Sequence, residues 1–154
     1  MNADSVPSAE GMRFAIVVSE WNTEITETLF TGARDTFMKF GASSDNIVRR
    51  DVPGSFELTL GAQLMAERNE FDAVICIGVV IKGETKHFDF ICEAVGQGIT
   101  NLNIKYNLPV IFGVLTPNTL QQAMDRAGGI HGNKGDEAAI TAIKMAALKK
   151  ELEN

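Results

Sequence analysis

Residues 73–90 read AVICIGVVIKGETKHFDF, two patterns joined in the middle. Ala73 to Ile81 is an unbroken apolar run rich in β-branched residues, the pattern of a strand covered on both faces. From Phe88 the period changes. Phe88, Ile91, Cys92, Val95, Ile99 and Leu102 fall on one face of a helix expected from about Thr85 to Tyr106. A buried strand that passes into an amphipathic helix is the unit from which parallel α/β sheets are built. The junction between them, Lys82 to His87, carries glycine, hydroxyl and charge where a plain connection would need only a turn.

The same alternation continues in both directions. FAIVVS (14–19) is a second apolar run, and EITETLFTGARDTFMKF (24–40) spaces Ile25, Leu29, Ala33 and Phe37 for one helical face. NIVRRDV (46–52) is a weaker strand, SFELTLGAQLMAERN (55–69) a helix, and PVIFGVLT (109–116) a fourth strand. TLQQAMDRAG (119–128) reads as a helix capped by Asn118 or Thr119, each with a Gln three residues on, and stopped by Gly128. A last helix is expected from about Lys134 to Leu152. The pattern predicts one α/β domain over 13–154, a four-stranded parallel sheet with helices on both faces. Residues 1–12 form a polar arm containing Pro7, expected to be flexible and without an evident partner in its own domain.

Bulk composition narrows the function. The chain has 154 residues, 45% hydrophobic and 22% charged, enough for one proper core. Fourteen Lys+Arg stand against twenty Asp+Glu, a net charge of −6 with no basic run, which argues against nucleic acid. An anionic ligand must then be held by a few local groups. Cys76 and Cys92 read as free thiols in a reducing compartment rather than a disulfide or a metal pair. MNADSVPSAEGM lacks the charged and apolar regions of a secretory signal, and no stretch is long and apolar enough to span a bilayer. A cytoplasmic protein without a membrane partner is expected.

The unusual residues sit where strands end. Trp21-Asn22 follows the first strand, Pro53-Gly54-Ser55-Phe56-Glu57 the second, Lys82 to His87 the third, and Leu115-Thr116 closes the fourth. Carboxyl ends of parallel strands share one edge, and ligands bind there. The amides around Gly83-Glu84-Thr85 are expected at a helix N-terminus, a place for phosphate, and His87 on the first turn can exchange protons. Each candidate also has an ordinary explanation. Trp21, Phe56 and Phe112 could be packing residues, Glu57 a first-turn carboxylate, Arg126 a last-turn cation, Lys134 a solvated loop residue. His87 could be a histidine that merely packs or caps, and His131, in a glycine-rich loop without such a turn beside it, is taken as one.

Together, SEWNTEIT, VPGSFELTLGA, GVVIKGETKHFDFI, FGVLTPNTLQQAMDRAG and GNKGDEAA resemble the lumazine synthase family, in order and from about Arg13 to about Lys149. The resemblance implies a flavodoxin-like three-layer sandwich. It implies a transferase that condenses 5-amino-6-(D-ribitylamino)uracil with 3,4-dihydroxy-2-butanone 4-phosphate. The products are 6,7-dimethyl-8-ribityllumazine, phosphate and water, in the penultimate step of riboflavin biosynthesis, with no cofactor and no metal. Matched position by position, it assigns ring and ribityl binding to Trp21, Asn22, Ser55, Phe56, Glu57, Val79, Val80, Ile81, Phe112 and Lys134. Glu84, Thr85 and Arg126 match the groups around the butanone phosphate, and His87 matches the proton-transfer residue. Phe112, Arg126 and Lys134 match groups that reach the site from a neighbouring subunit. Position 21 departs from the pattern, since the family more often has Phe there.

The resemblance also implies pentamers that stay single, pair, or build a sixty-subunit shell, with riboflavin synthase as a candidate partner. The loop Gly128 to Gly132 is short, as in shell-forming members of that family, and the resemblance therefore favours the shell. The arm before Met12 is expected to lie against a neighbour's sheet. Two alternatives remain at this level. One is a flavin- or lumazine-binding protein of the same fold without turnover, against which the joint presence of His87, Arg126 and Lys134 counts. The other is a flavodoxin-like or receiver-type signalling module, which would need clustered acids after the first strand, where this chain has Glu20-Trp21-Asn22.

Overall fold

The computed structural model describes residues 3–153. Four parallel strands form one sheet: β1 (Phe14–Ser19), β2 (Ile47–Val52), β3 (Ala73–Val79) and β4 (Val110–Leu115), in the order β2-β1-β3-β4. The register runs from Phe14↔Ile47 and Phe14↔Ala73 to Val79↔Leu115. The helices are α1 (Thr23–Lys39), α2 (Leu58–Ala66), α3 (His87–Tyr106), α4 (Leu120–Asp125) and α5 (Lys134–Glu153). This is the expected flavodoxin-like sandwich. Among the described residues no helix is long and apolar enough to cross a membrane.

Strand alternation divides the core into two halves. Phe14, Ile16 and Val18 with Ala73, Ile75 and Ile77 face α1 and α5, meeting Ile25, Leu29, Ala33 and Phe37, whose helical spacing anticipated that face. The rings of Phe14 and Phe37 stack with centroids 3.9 Å apart. Ala15 and Val17 with Val74 and Cys76 face α2 and α3, against Leu58, Ala62, Val95, Ile99 and Leu102. Cys76 is free and buried, and burial pushes its thiol up to about 12.

Three local expectations are corrected. The first turns of α3 are less covered than its stripe suggests: Phe88, Ile91 and Cys92 are only half-buried, because these turns lie beyond the carboxyl ends of the strands. Burial raises the Cys92 thiol, and the nearby Asp89 carboxylate adds to it. Second, α4 has six residues and ends before Arg126, so Gly128 is not its stop. Gly128, at φ 95°, lies instead in a small antiparallel hairpin of β5 (Ala127–Gly129) and β6 (Gly132–Asn133). A glycine cluster can adopt the left-handed turns a hairpin needs, and the hairpin satisfies backbone groups a helix would have used.

Third, the arm has partners in its own domain. Ala9 is fully buried, its N–H donates to the Phe40 carbonyl at 2.7 Å, and Met12 and Val6 pack on the α1–α5 side of the core. A short apolar residue every third position is enough to hold a polar segment down. Met1 and Asn2 lie outside the described residues.

Candidate active site

The strand order 2-1-3-4 reverses direction between β1 and β3, so a crevice opens where their carboxyl ends diverge. A cavity of about 640 Å³ occupies that place, lined by Trp21, Asn22, Gly54, Ser55, Phe56, Glu57, Val79, Val80, Ile81, His87 and Ile91. Each strand end supplies its part for a local reason. Asn22 takes the left-handed conformation at φ 61°, ψ 56°, which Asn tolerates better than most residues. Its carbonyl accepts the Ile25 N–H at 3.0 Å, so α1 starts at once and Trp21 is left outside the core. The Trp21 N–H donates to Ser19 Oγ at 3.3 Å.

After β2, a single 3₁₀ turn over Ser55–Glu57 precedes α2. It turns Ser55 inward, where it is buried and its Oγ donates to the Val79 carbonyl at 3.4 Å. Gly78 makes that contact possible, since a Cβ there would lie 2.7 Å from Ser55 Oγ. Phe56 points outward. Trp21 is 68% exposed and Phe56 59%, two aromatic surfaces beside an apolar strand end. Such a wall suits a planar ring, with Ser55, Asn22 and Glu57 as polar groups around it.

The junction after β3 behaves differently from the expectation. The parallel pairing with β4 continues past the strand, through Val80 N–H to the Leu115 carbonyl at 2.8 Å and Lys82 N–H to the Pro117 carbonyl at 3.0 Å. Helix α3 begins only at His87, whose N–H donates to Thr85 Oγ1 at 3.3 Å. The amides of Gly83 to Thr85 therefore precede the helix rather than form its first turn, and the residue at its N-cap is Lys86. Glu84 and Thr85 are exposed and line no part of the cavity. Nothing lies within 4 Å of a Cβ built on Gly83, so the chain itself has no close approach there. His87 is exposed and borders the cavity.

The remaining candidates gather elsewhere on the same edge. Phe112, Arg126 and Lys134 line a second cavity of about 480 Å³, with Thr116, Pro117, Asn118, Gln122, His131 and Glu137 among its walls. Thr119 caps α4, its Oγ1 accepting the Gln122 N–H at 3.1 Å, while Gln122 Oε1 accepts the Asn118 N–H at 2.7 Å. Of the two cap candidates Thr119 is the cap, and Asn118 contributes only its backbone N–H. Arg126 folds back to donate from its guanidinium to the Gln122 carbonyl at 3.1 Å, and its own carbonyl accepts the Lys134 N–H at 2.8 Å.

No residue lines both cavities, so one chain does not bring His87 and Arg126 into a single pocket. Sequence reasoning missed Ile91 in the first cavity and His131 and Glu137 in the second. Ile91 follows His87 by one helical turn, a spacing that could have placed it. His131 reaches the second cavity only through the hairpin, which no periodicity announced. Among the described residues no group of His, Cys, Asp and Glu could hold a metal ion.

Known proteins match most of this chain. The sequence profile described as 6,7-dimethyl-8-ribityllumazine synthase covers residues 11–150. A protein of that name from Cytophaga hutchinsonii is 61% identical over 142 residues, 92% of this chain and 89% of its own. One from Parabacteroides distasonis is 58% identical over 142 residues, 92% and 89% of the two chains. One from Porphyromonas gingivalis is 56% identical over 147 residues, 96% and 91%. With identity this high along nearly the whole of both sequences, and the crevice where the fold demands it, the chain belongs to the 6,7-dimethyl-8-ribityllumazine synthase family.

Proposed function

We propose that the chain is the transferase that condenses 5-amino-6-(D-ribitylamino)uracil with 3,4-dihydroxy-2-butanone 4-phosphate to give 6,7-dimethyl-8-ribityllumazine. The observation that carries this reading is the cavity at the β1/β3 switch, with Trp21, Phe56 and His87 on its rim. In this reading the pyrimidine lies on Trp21 and along Val79, Val80 and Ile81. The ribityl chain meets Asn22, Ser55, Phe56 and Glu57. His87 moves protons during imine formation, loss of phosphate and ring closure, worth roughly 10²–10⁴-fold for a well-placed group. Holding two substrates in register supplies much of the remaining rate. The backbone amides of the turn at Glu84 and Thr85 hold the phosphate, and Arg126 is its cationic partner, where a charge-assisted contact is strongest.

The division of the candidates between two cavities supports a site completed between subunits, with Phe112, Arg126 and Lys134 supplied by a neighbour. Exposed Leu60 and Leu64 on α2, and Phe90 and Ile104 on α3, offer apolar surface for such a neighbour. A homo-pentamer in the cytoplasm, assembled as a shell and partnered by riboflavin synthase, is the finer form of this reading. The test is direct. Mixing the two substrates with the protein should produce a fluorescent lumazine and release one phosphate per turnover. Tight binding of lumazine or flavin without turnover would favour the binding-protein alternative.

A further inference from the structure

We propose that Asn133 is a positioning residue, whose side-chain amide clasps α5 to α1 and thereby fixes where Arg126 stands. This rests on the assignment of Arg126 to the phosphate-bearing substrate made above.

The amide is used at both ends. Asn133 Nδ2 donates to the Thr28 carbonyl of α1 at 3.0 Å, across 105 positions of sequence, while Oδ1 accepts the Gly135 N–H at 2.7 Å. The two partners fix its orientation, since a carbonyl needs a donor and an N–H an acceptor. Two glycines make room for it. Gly32 stands one turn after Thr28, and a Cβ there would lie 2.5 Å from Asn133 Nδ2. Asp136 Oδ1 would lie at 2.6 Å from the same Cβ, and since glycine is a poor helix former, its place in the middle of α1 is explained by the close approach of these two side chains. A Cβ on Gly135 would lie 2.0 Å from the Leu29 carbonyl oxygen, so the start of α5 lies directly against the α1 backbone.

From this clasp the hairpin carries the position to the site. Asn133 pairs with Ala127 across β5–β6, and the Lys134 N–H donates to the Arg126 carbonyl at 2.8 Å. The residue that anchors β6 to α1 therefore also holds the turn that bears Arg126. Arg126 follows a helix of only six residues, which gives it little rigidity of its own. A displacement of about 1 Å in a substrate-holding group is enough to cost on the order of 10–10²-fold.

Two variants test this on the assembled protein. Asn133→Asp keeps the size and the acceptor for Gly135 but loses the donor to Thr28. Gly32→Ala leaves Asn133 intact, improves helix propensity, and fills the slot the amide occupies. Both should raise the KM for the phosphorylated ketone by about 10-fold, and more than the KM for the ribityl-uracil. Their circular dichroism should match the parent. A merely structural role would lower kcat through a smaller active fraction and leave both KM values unchanged, and that result in both variants overturns the inference. Arg126→Ala, run alongside, separates the two levels of the reading. If it raises the ketone KM while Asn133→Asp and Gly32→Ala do not, the clasp alone is wrong. If Arg126→Ala leaves that KM unchanged, the assignment of Arg126 fails and takes the inference with it.

Discussion

If the two cavities are halves of one site shared between subunits, as proposed, the protein should be separable into complementary impaired parents. His87 borders the cavity at the β1/β3 switch, whereas Arg126 lines the other, and no residue is common to the two. If a working site joins the first cavity of one subunit to the second cavity of its neighbour, His87→Ala damages one face and Arg126→Ala the other. Each parent alone contains a lesion in every site. Unfolded, mixed in equal amounts and refolded, half of the first faces and half of the second faces are intact. With random neighbours around a closed heterologous ring, the two halves multiply, and about a quarter of the sites pair two intact faces. The fraction falls away from equal mixing as the product of the two proportions. The assay is initial rate of fluorescent lumazine formation against mixing ratio, with native mass spectrometry to establish co-assembly. A site contained within one chain would give no rescue at any ratio. Activity that stays at the level of the parents in a proven mixed assembly refutes the shared site.

Three further outcomes are expected. His87→Ala should lower turnover by roughly 10–10³-fold with an unchanged circular dichroism spectrum, because positioning survives loss of the proton carrier; a folded variant with parental turnover would remove His87 from the chemistry. Arg126→Ala should weaken the phosphorylated substrate by roughly 10–150-fold and the ribityl-uracil far less, the range for losing a charge-assisted contact, measured as separate KM values. The third concerns Glu27, whose hydrogen bond from the Arg49 guanidinium holds its carboxyl below the usual range, against a smaller effect of burial. A depressed folded-state pKa adds stability above the unfolded value of about 4.3, and the gain is lost as pH falls through the folded value. The side chain of Glu27 is 46% exposed, so solvent screening reduces the gain, to about 0.5 kcal/mol. Glu27→Gln should be less stable than the parent by that amount in urea at neutral pH and indistinguishable from it well below pH 4; a gap that persists in acid would assign the effect to packing.

Much of the molecule was legible because its signals are local. The run at residues 14–19 gave β1 to the residue, and the spacing of Ile25, Leu29, Ala33 and Phe37 gave the buried face of α1. Both follow from which side of an element is apolar, which neighbouring residues decide among themselves. The capping box at Asn118, Thr119 and Gln122 is likewise short-range chemistry. The hairpin at 127–133 was not legible. Its glycines end a helix or turn a strand equally well, and the bond that holds its Asn133 side chain is to the Thr28 carbonyl, 105 positions away. The buried end of the arm escaped for the same reason, since the hydrogen bond of Ala9 is to Phe40, far along the chain.

By itself the sequence determined the four strands of the parallel sheet and their succession along the chain, the inward face of α1, the family, and the segments that end at one edge of the sheet. The tertiary structure alone decided which of those segments meet. Strand order β2-β1-β3-β4 puts the ends of β1, β2 and β3 around one cavity and leaves Phe112, Arg126 and Lys134 around another. Periodicity is fixed by residues a few positions apart, but convergence is fixed by register and crossover between strands tens of residues apart. No local pattern could therefore have divided the candidates into two groups.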